Sequence, residues 1–222
     1  MYNLPLGLSG IEYNVFLMEG IKNIIFDLGG VIINLDNKRT EDAFVSLGAT
    51  DFGRYFGHGF AASFFSDYEI GKITDAEFIG KIREMAGLTV PDETIISAWN
   101  ALLLDFPPDR IRLLERLGRE YRIFLFSNTN ALHMTAFGEI YHKTFGSGEL
   151  DTLFEKTYYS HLMGMRKPSV ESFQHIIREN NLISAETLFI DDALINVEGA
   201  NKAGLKAFYL EPGKTILDLE WV

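Results

Sequence analysis

Apolar residues along this chain fall into two rhythms, and the switches between them divide it into parts. Ile24-Ile25-Phe26 and Val31-Ile32-Ile33 are unbroken apolar runs without alternation, and most of their residues are β-branched. Runs of that kind suit a strand buried on both faces, as in a parallel sheet. Tyr121-Arg122-Ile123-Phe124-Leu125-Phe126, Thr187-Leu188-Phe189-Ile190 and Leu205 to Leu210 read the same way, with a shorter extended piece at Phe154 to Tyr159. Helical stretches separate them. These are Arg110 to Leu117, Ser169 to Asn180 with Phe173, Ile176 and Ile177 inward, and about Asn196 to Ala203, which ends at Gly204.

From about Asn37 to Phe106 the rhythm is helical throughout. Thr74-Asp75-Ala76-Glu77 is a capping box, Thr as N-cap and Glu three residues on, opening a helix that carries Phe78, Ile82 and Met85. Gly87 ends it, and Pro91 starts a second helix whose stripe is Ile95, Ile96, Trp99, Leu102 and Leu103. Ala43, Phe44 and Leu47, then Phe60, Phe64 and Phe65, supply further apolar faces. Pro107-Pro108 closes the region. The pattern predicts an α/β protein: a Rossmann-like parallel-sheet core from residues 21–36 and 107–222, with an inserted α-helical cap at 37–106. Residues 1–20 show no clear periodicity and remain an unassigned extension.

Composition narrows the function classes. The chain of 222 residues has an ordinary globular balance, 47% hydrophobic and 23% charged. Its net charge of −11 argues against a nucleic-acid partner, which needs a basic face. With no cysteine, disulfides, thiolate metal sites and cysteine nucleophiles are excluded, as a reducing cytoplasm would allow. No apolar run is long enough to span a bilayer, and the opening residues lack the basic n-region and apolar length of a signal peptide. The expectation is therefore a cytoplasmic protein with no membrane partner.

The chemistry concentrates where predicted strands end. Asp27 follows the first strand and is itself followed by Gly29-Gly30, Ser127-Asn128 follows the second, and Asp191-Asp192 follows a later one. In a parallel sheet these ends share one edge, the edge where open α/β sheets bind ligands. Arg166-Lys167-Pro168 adds a cation, with Pro168 favouring an extended Lys167. Carboxylates gathered at one edge repel one another unless a cation joins them. Mg²⁺ would resolve this, taking two carboxylates and a backbone carbonyl and keeping waters for a phosphate to displace. In that arrangement Asp27 would attack phosphorus and form an aspartyl-phosphate. Lys167, the Ser127 hydroxyl and nearby N–H groups would neutralise the equatorial oxygens, Asn128 would donate to a phosphate or substrate oxygen, and Asn196 would steady the Asp192 loop.

In this order the segments Phe26-Asp27-Leu28-Gly29-Gly30-Val31, Ser127-Asn128, Arg166-Lys167-Pro168 and Asp191-Asp192 with Asn196 resemble the four motifs of the haloacid dehalogenase superfamily. The likeness runs from Ile21 to Leu210, with the helical insertion where that family places a C1-type cap. Ser127 to His133, Gly164 to Pro168 and Asn196 to Asn201 look like bacterial sugar-phosphate phosphatases of the α-D-glucose-1-phosphate type. The resemblance implies a phosphatase acting on a small phosphorylated metabolite. It makes Asp27 nucleophile and metal ligand, completes the protein's share of the Mg²⁺ shell with the Gly29 carbonyl and Asp192, and gives the phosphate to Ser127, Asn128 and Lys167. Asp191 would be a rival ligand or a partner of Lys167.

One position departs from the pattern. The family's phosphatases usually carry a second Asp two residues after the nucleophile as general acid and base, and here that residue is Gly29. Such help is typically worth about 10²–10⁴-fold. A substrate hydroxyl, a metal-bound water, His133 or Asp191 are candidates to replace it. Two other functions share the sequence features: a metal-independent 2-haloacid dehalogenase, in which the same Asp attacks carbon, and a non-catalytic binding or regulatory module. The adjacent carboxylates Asp191-Asp192 speak against the first.

Overall fold

The computed structural model describes residues 18–54 and 63–221. Five parallel strands form one sheet in the order β3-β2-β1-β4-β5, where β1 is Asn23–Phe26, β2 Arg122–Ser127, β3 Lys156–Tyr159, β4 Thr187–Asp191 and β5 Lys206–Tyr209. The chain enters at the middle strand, which is why β1 consists wholly of buried positions.

Side chains alternate between two cores. Ile24, Phe26, Ile123, Leu125, Leu188 and Ile190 pack on one face, joined by residues of helices at Pro108–Leu117 and Ala131–Phe145. Ile25, Phe124, Phe126 and Phe189 pack on the other, against Phe173 and Ile176 of helix Val170–Glu179 and Val197 and Ala200 of helix Leu194–Lys202. Both faces are covered, so the strands needed continuous apolar sequence. This is the Rossmann-like α/β architecture that the pattern predicts.

The first strand is shorter than its sequence suggests. It stops at Phe26, and the chain turns at once, with Ile32 and Ile33 both donating their N–H to the Leu28 carbonyl. Gly30 takes φ +72° in that turn, a left-handed conformation that glycine adopts without strain. Val31, Ile32 and Ile33 are buried, but they fill the core beside the sheet instead of extending it. Met18 and Ile21 are likewise in the core, so the end of the unassigned segment is part of it. Phe60, like residues 1–17, lies outside the described residues.

Helices α1 (Asn37–Ser46), α2 (Ser63–Glu69), α3 (Asp75–Ala86) and α4 (Asp92–Asn100) lie between β1 and β2 and share an apolar cluster of their own. Phe44, Phe65, Tyr68, Phe78, Ile82, Ile95 and Trp99 are buried in it, with Tyr68 and Phe78 stacked at 4.0 Å. The Thr74–Glu77 capping box opens α3, and Gly87 ends it at φ +63°. The two connections to the core run side by side. Asn34 N–H donates to the Asp105 carbonyl, Leu104 to Asn34 and Asp36 to Leu102, so the inserted helices hang on a short antiparallel ladder.

Candidate active site

The parallel register places Asp27 and Asp191 side by side. Phe26 pairs with Ile190, and each aspartate is the next residue along, with Asp27 N–H donating to the Ile190 carbonyl at 2.9 Å. Lys167 arrives from the segment before helix Val170–Glu179 and reaches between them. Its Nζ is 2.6 Å from Asp27 Oδ1 and 2.7 Å from Asp191 Oδ2. Asp191 is completely buried and Lys167 is 1% exposed, while Asp27 is buried but keeps an edge open to solvent. The ammonium also lies 5.4 Å from the ring centroids of both Phe126 and Phe189, within cation–π range.

Such burial costs both charge types, and here the outcome differs between partners. Burial pushes the Asp27 carboxyl up to about 7, with Asp191 and Asp192 adding to the rise and Lys167 opposing it. Burial by itself would lower Lys167, but Asp191 and Asp27 outweigh it and hold the ammonium charged, above its ordinary value. Asp191 is further satisfied by Ala193 N–H at 2.7 Å and by the Asn196 amide, 3.1 Å from each carboxylate oxygen. Asn196 thus acts on Asp191, not only on the loop that follows it.

Asp192 stands at the edge of the group and is exposed. Carboxylate oxygens of Asp27, Asp191 and Asp192 all lie within 4.8 Å of one another, close enough for one cation. Gly30 makes room for this. A Cβ there would sit 2.0 Å from Asp192 Oδ2. Three converging carboxylates with one lysine leave an excess of negative charge, and hard oxygen donors of this kind suit Mg²⁺. The donor set therefore fits the metal that the sequence predicts.

Ser127 ends β2 and is buried, next to the same edge. Asn128 is placed differently from the expectation. Its amide Nδ2 donates to the Lys167 carbonyl at 3.0 Å, and its Oδ1 accepts the Lys167 N–H at 2.9 Å. It clamps the backbone that carries the lysine. A similar clamp holds the turn after β2, where the buried Ser160 hydroxyl accepts from Thr129 N–H and donates to the Thr129 carbonyl. Nothing in the sequence marks Ser160, because an ordinary serine after a strand carries no signal. The Lys167–Pro168 bond is cis.

His133 makes its side-chain contacts with the inserted helices. Its ring stacks on Trp99 at 4.8 Å and its Nδ1 meets Asn100 Oδ1 at 2.8 Å. Burial pushes its pKa down, so it is neutral at physiological pH. Its backbone N–H is capped by Asn130 Oδ1.

A model of haloacid dehalogenase-like hydrolases matches residues 21–204. The chain belongs to that family. Among curated proteins it is 30% identical to a D-ribitol-5-phosphate phosphatase of Bacteroides thetaiotaomicron, over 87% of this chain and 93% of the relative. It is 29% identical to a sesquiterpene phosphatase of Aspergillus oryzae, over 85% and 89%. A solved structure of a family enzyme from B. thetaiotaomicron, an aspartate-to-alanine variant in complex with magnesium and inorganic phosphate, superposes with a TM-score of 0.82. It is 36% identical and covers 87% of this chain and 96% of that one. A family hydrolase from Porphyromonas gingivalis gives 0.79 at 29% identity, over 87% and 93%. A dehalogenase superposes with a TM-score of 0.56 at 18% identity, which shows the shared fold alone. The sequence reading of a hydrolase of the phosphatase kind in this family, with magnesium as its ion, stands with these matches. No described helix is long and apolar enough to cross a membrane.

Proposed function

We propose that this haloacid dehalogenase-like hydrolase is a Mg²⁺-dependent phosphomonoesterase whose substrate is a small phosphorylated polyol or sugar, with Asp27 as the nucleophile. The observation that carries this is the meeting of Asp27, Lys167, Asp191 and Asp192 at one sheet edge. Asp27 attacks phosphorus, the leaving oxygen departs on the opposite side, and the phosphoryl group stays on the carboxylate as an aspartyl-phosphate. Water then releases phosphate and restores Asp27. Lys167, held charged between two carboxylates, offers its ammonium to the phosphoryl oxygens as charge develops, and the Ser127 hydroxyl is a second donor. Asp191, already bonded by Lys167, Ala193 N–H and Asn196, serves as the anchor that fixes the lysine. Asp27, Asp192 and the Gly29 carbonyl are the residues that would hold Mg²⁺. When bound, the metal keeps Asp27 ionised and neutralises phosphate charge. The convergence of three carboxylates supports this reading over a metal-free dehalogenase.

A panel of phosphorylated polyols and sugars, including ribitol 5-phosphate and glucose 1-phosphate, tests it by release of inorganic phosphate. Turnover should require Mg²⁺ and vanish in Asp27→Asn. Turnover that survives both EDTA and that substitution would end the proposal, and phosphate binding without turnover would make the chain a binding module.

A further inference from the structure

Arg166, the residue before the lysine, takes no part in the ion cluster. Its Nη1 reaches instead to the inserted helices, donating to Ser66 Oγ at 3.0 Å and pairing with Glu69 Oε2 at 2.9 Å, both on α2. The Glu69 Oε2 and Arg166 Nε atoms are sealed from solvent although each residue is partly exposed. The end of α2 is also seated closely on the core. A Cβ on Gly71 would come within 2.3 Å of the His161 carbonyl oxygen, in the segment that leads to Lys167. Further along, the Tyr68 hydroxyl accepts from Leu132 N–H at 3.2 Å.

The backbone of residue 167 is thus constrained from two sides. Asn128 pins it to the end of β2, and Arg166 ties the adjacent residue to α2. We propose that Arg166, with Ser66 and Glu69, is a latch that couples seating of the inserted helices to placement of Lys167. Arg166 is then a positioning residue. The inference rests on the phosphatase reading for its effect on turnover, but the coupling itself is a property of the fold.

The test compares wild type with Glu69→Gln, Arg166→Gln, Arg166→Lys and the double variant Glu69→Gln/Arg166→Gln. Hydrogen exchange needs no substrate. Glu69→Gln, made on α2, should raise exchange across residues 160–167 of the core as well as in α2 itself. With a turned-over phosphate ester, kcat should fall about tenfold in each Gln variant while KM changes less than twofold. The double variant should fall no further than either single one, since both break one unit, and Arg166→Lys should recover most of the loss. Exchange confined to α2, additive losses, or a rise in KM at unchanged kcat would overturn the latch; the last would make Arg166 a direct substrate contact. A wild type with no turnover defeats the phosphatase reading, while the exchange arm still decides the latch.

Discussion

Replacing Lys167 by Met tests the electrostatics of the site most directly. The side chain fills a similar slot but leaves Asp27 and Asp191 without the ammonium that now lies 2.6 and 2.7 Å away. Breaking a buried ion pair by removing one partner costs about 3–5 kcal/mol. The pH dependence distinguishes this from simple loss of packing. In the wild type without metal, Asp27 has its pKa raised from 3.8 to about 7, chiefly by burial. A raised carboxyl adds nothing below its unfolded pKa. It then removes stability as pH climbs towards the folded value, by about 4 kcal/mol in all for this displacement. Lys167 opposes that rise, so its removal moves Asp27 higher still.

At pH 5.5, well below that value, Asp27 is largely neutral in both proteins, and the deficit of the variant comes mainly from Asp191. It should be about 3 kcal/mol at pH 5.5, the low end, because Ala193 N–H and Asn196 still serve that carboxylate. Above pH 7 the wild type ionises Asp27 beside its lysine while the variant does not, so the deficit should grow by up to about 2 kcal/mol at pH 8.5. Urea unfolding at the two pH values measures both numbers. Mg²⁺ should raise wild-type stability more at pH 8.5 than at 5.5, because protons compete for its ligands. Phosphatase turnover should drop by about 10²–10³-fold, the scale for losing one preorganised donor to the reacting group. A deficit that is flat with pH, or greater at 5.5, would refute the account of Asp27 and Lys167 as a coupled buried pair.

Asn128→Ala removes both bonds to the Lys167 backbone and should lower kcat about tenfold with little change in the inhibition constant of inorganic phosphate; a rise in that constant at unchanged kcat would make Asn128 a phosphate ligand. Gly30→Ala places a methyl 2.0 Å from Asp192 Oδ2 at φ +72°, so calorimetric Mg²⁺ affinity should fall at least tenfold while the fold survives with a loss of about 1–2 kcal/mol. Turnover of aryl phosphates should rise steeply as leaving-group pKa falls, since Gly29 replaces the carboxyl that would protonate the leaving oxygen, and a flat series would show that another acid is present.

The sheet and the site were legible for different reasons. Buried parallel strands leave unbroken apolar runs, and strand ends at one edge bring Asp27, Ser127 and Asp191 together whatever the loops do. The helix cap at Thr74 was equally readable, because capping is local chemistry. The extent of β1 was not. Val31 to Ile33 carries the same residues as a strand, and only the tight turn at Gly30 shows that burial there comes from packing beside the sheet. Partners across long sequence separations were also hidden. Asn128 to the Lys167 backbone, Arg166 to Glu69 and Ser160 to Thr129 each join residues that no periodicity links.

Gly29 shows how the departure from the family pattern fits the rest of the molecule. A Cβ at that position would meet Leu35 Cδ1 at 2.6 Å, and Leu35 belongs to the ladder from which the inserted helices hang. A side chain at residue 29 would have to displace the tip of Leu35, so the glycine lies against the point where the insertion is attached. The two protein groups that could have replaced it are committed elsewhere. His133 is kept neutral by burial and its Nδ1 faces Asn100, and both oxygens of Asp191 already accept hydrogen bonds from Lys167, Ala193 and Asn196. Of the four candidates that the sequence suggests, that leaves the substrate's own hydroxyl and a metal-bound water. Under the proposed function, a polyol or sugar phosphate, with a hydroxyl next to the ester oxygen, would bring that proton donor with it.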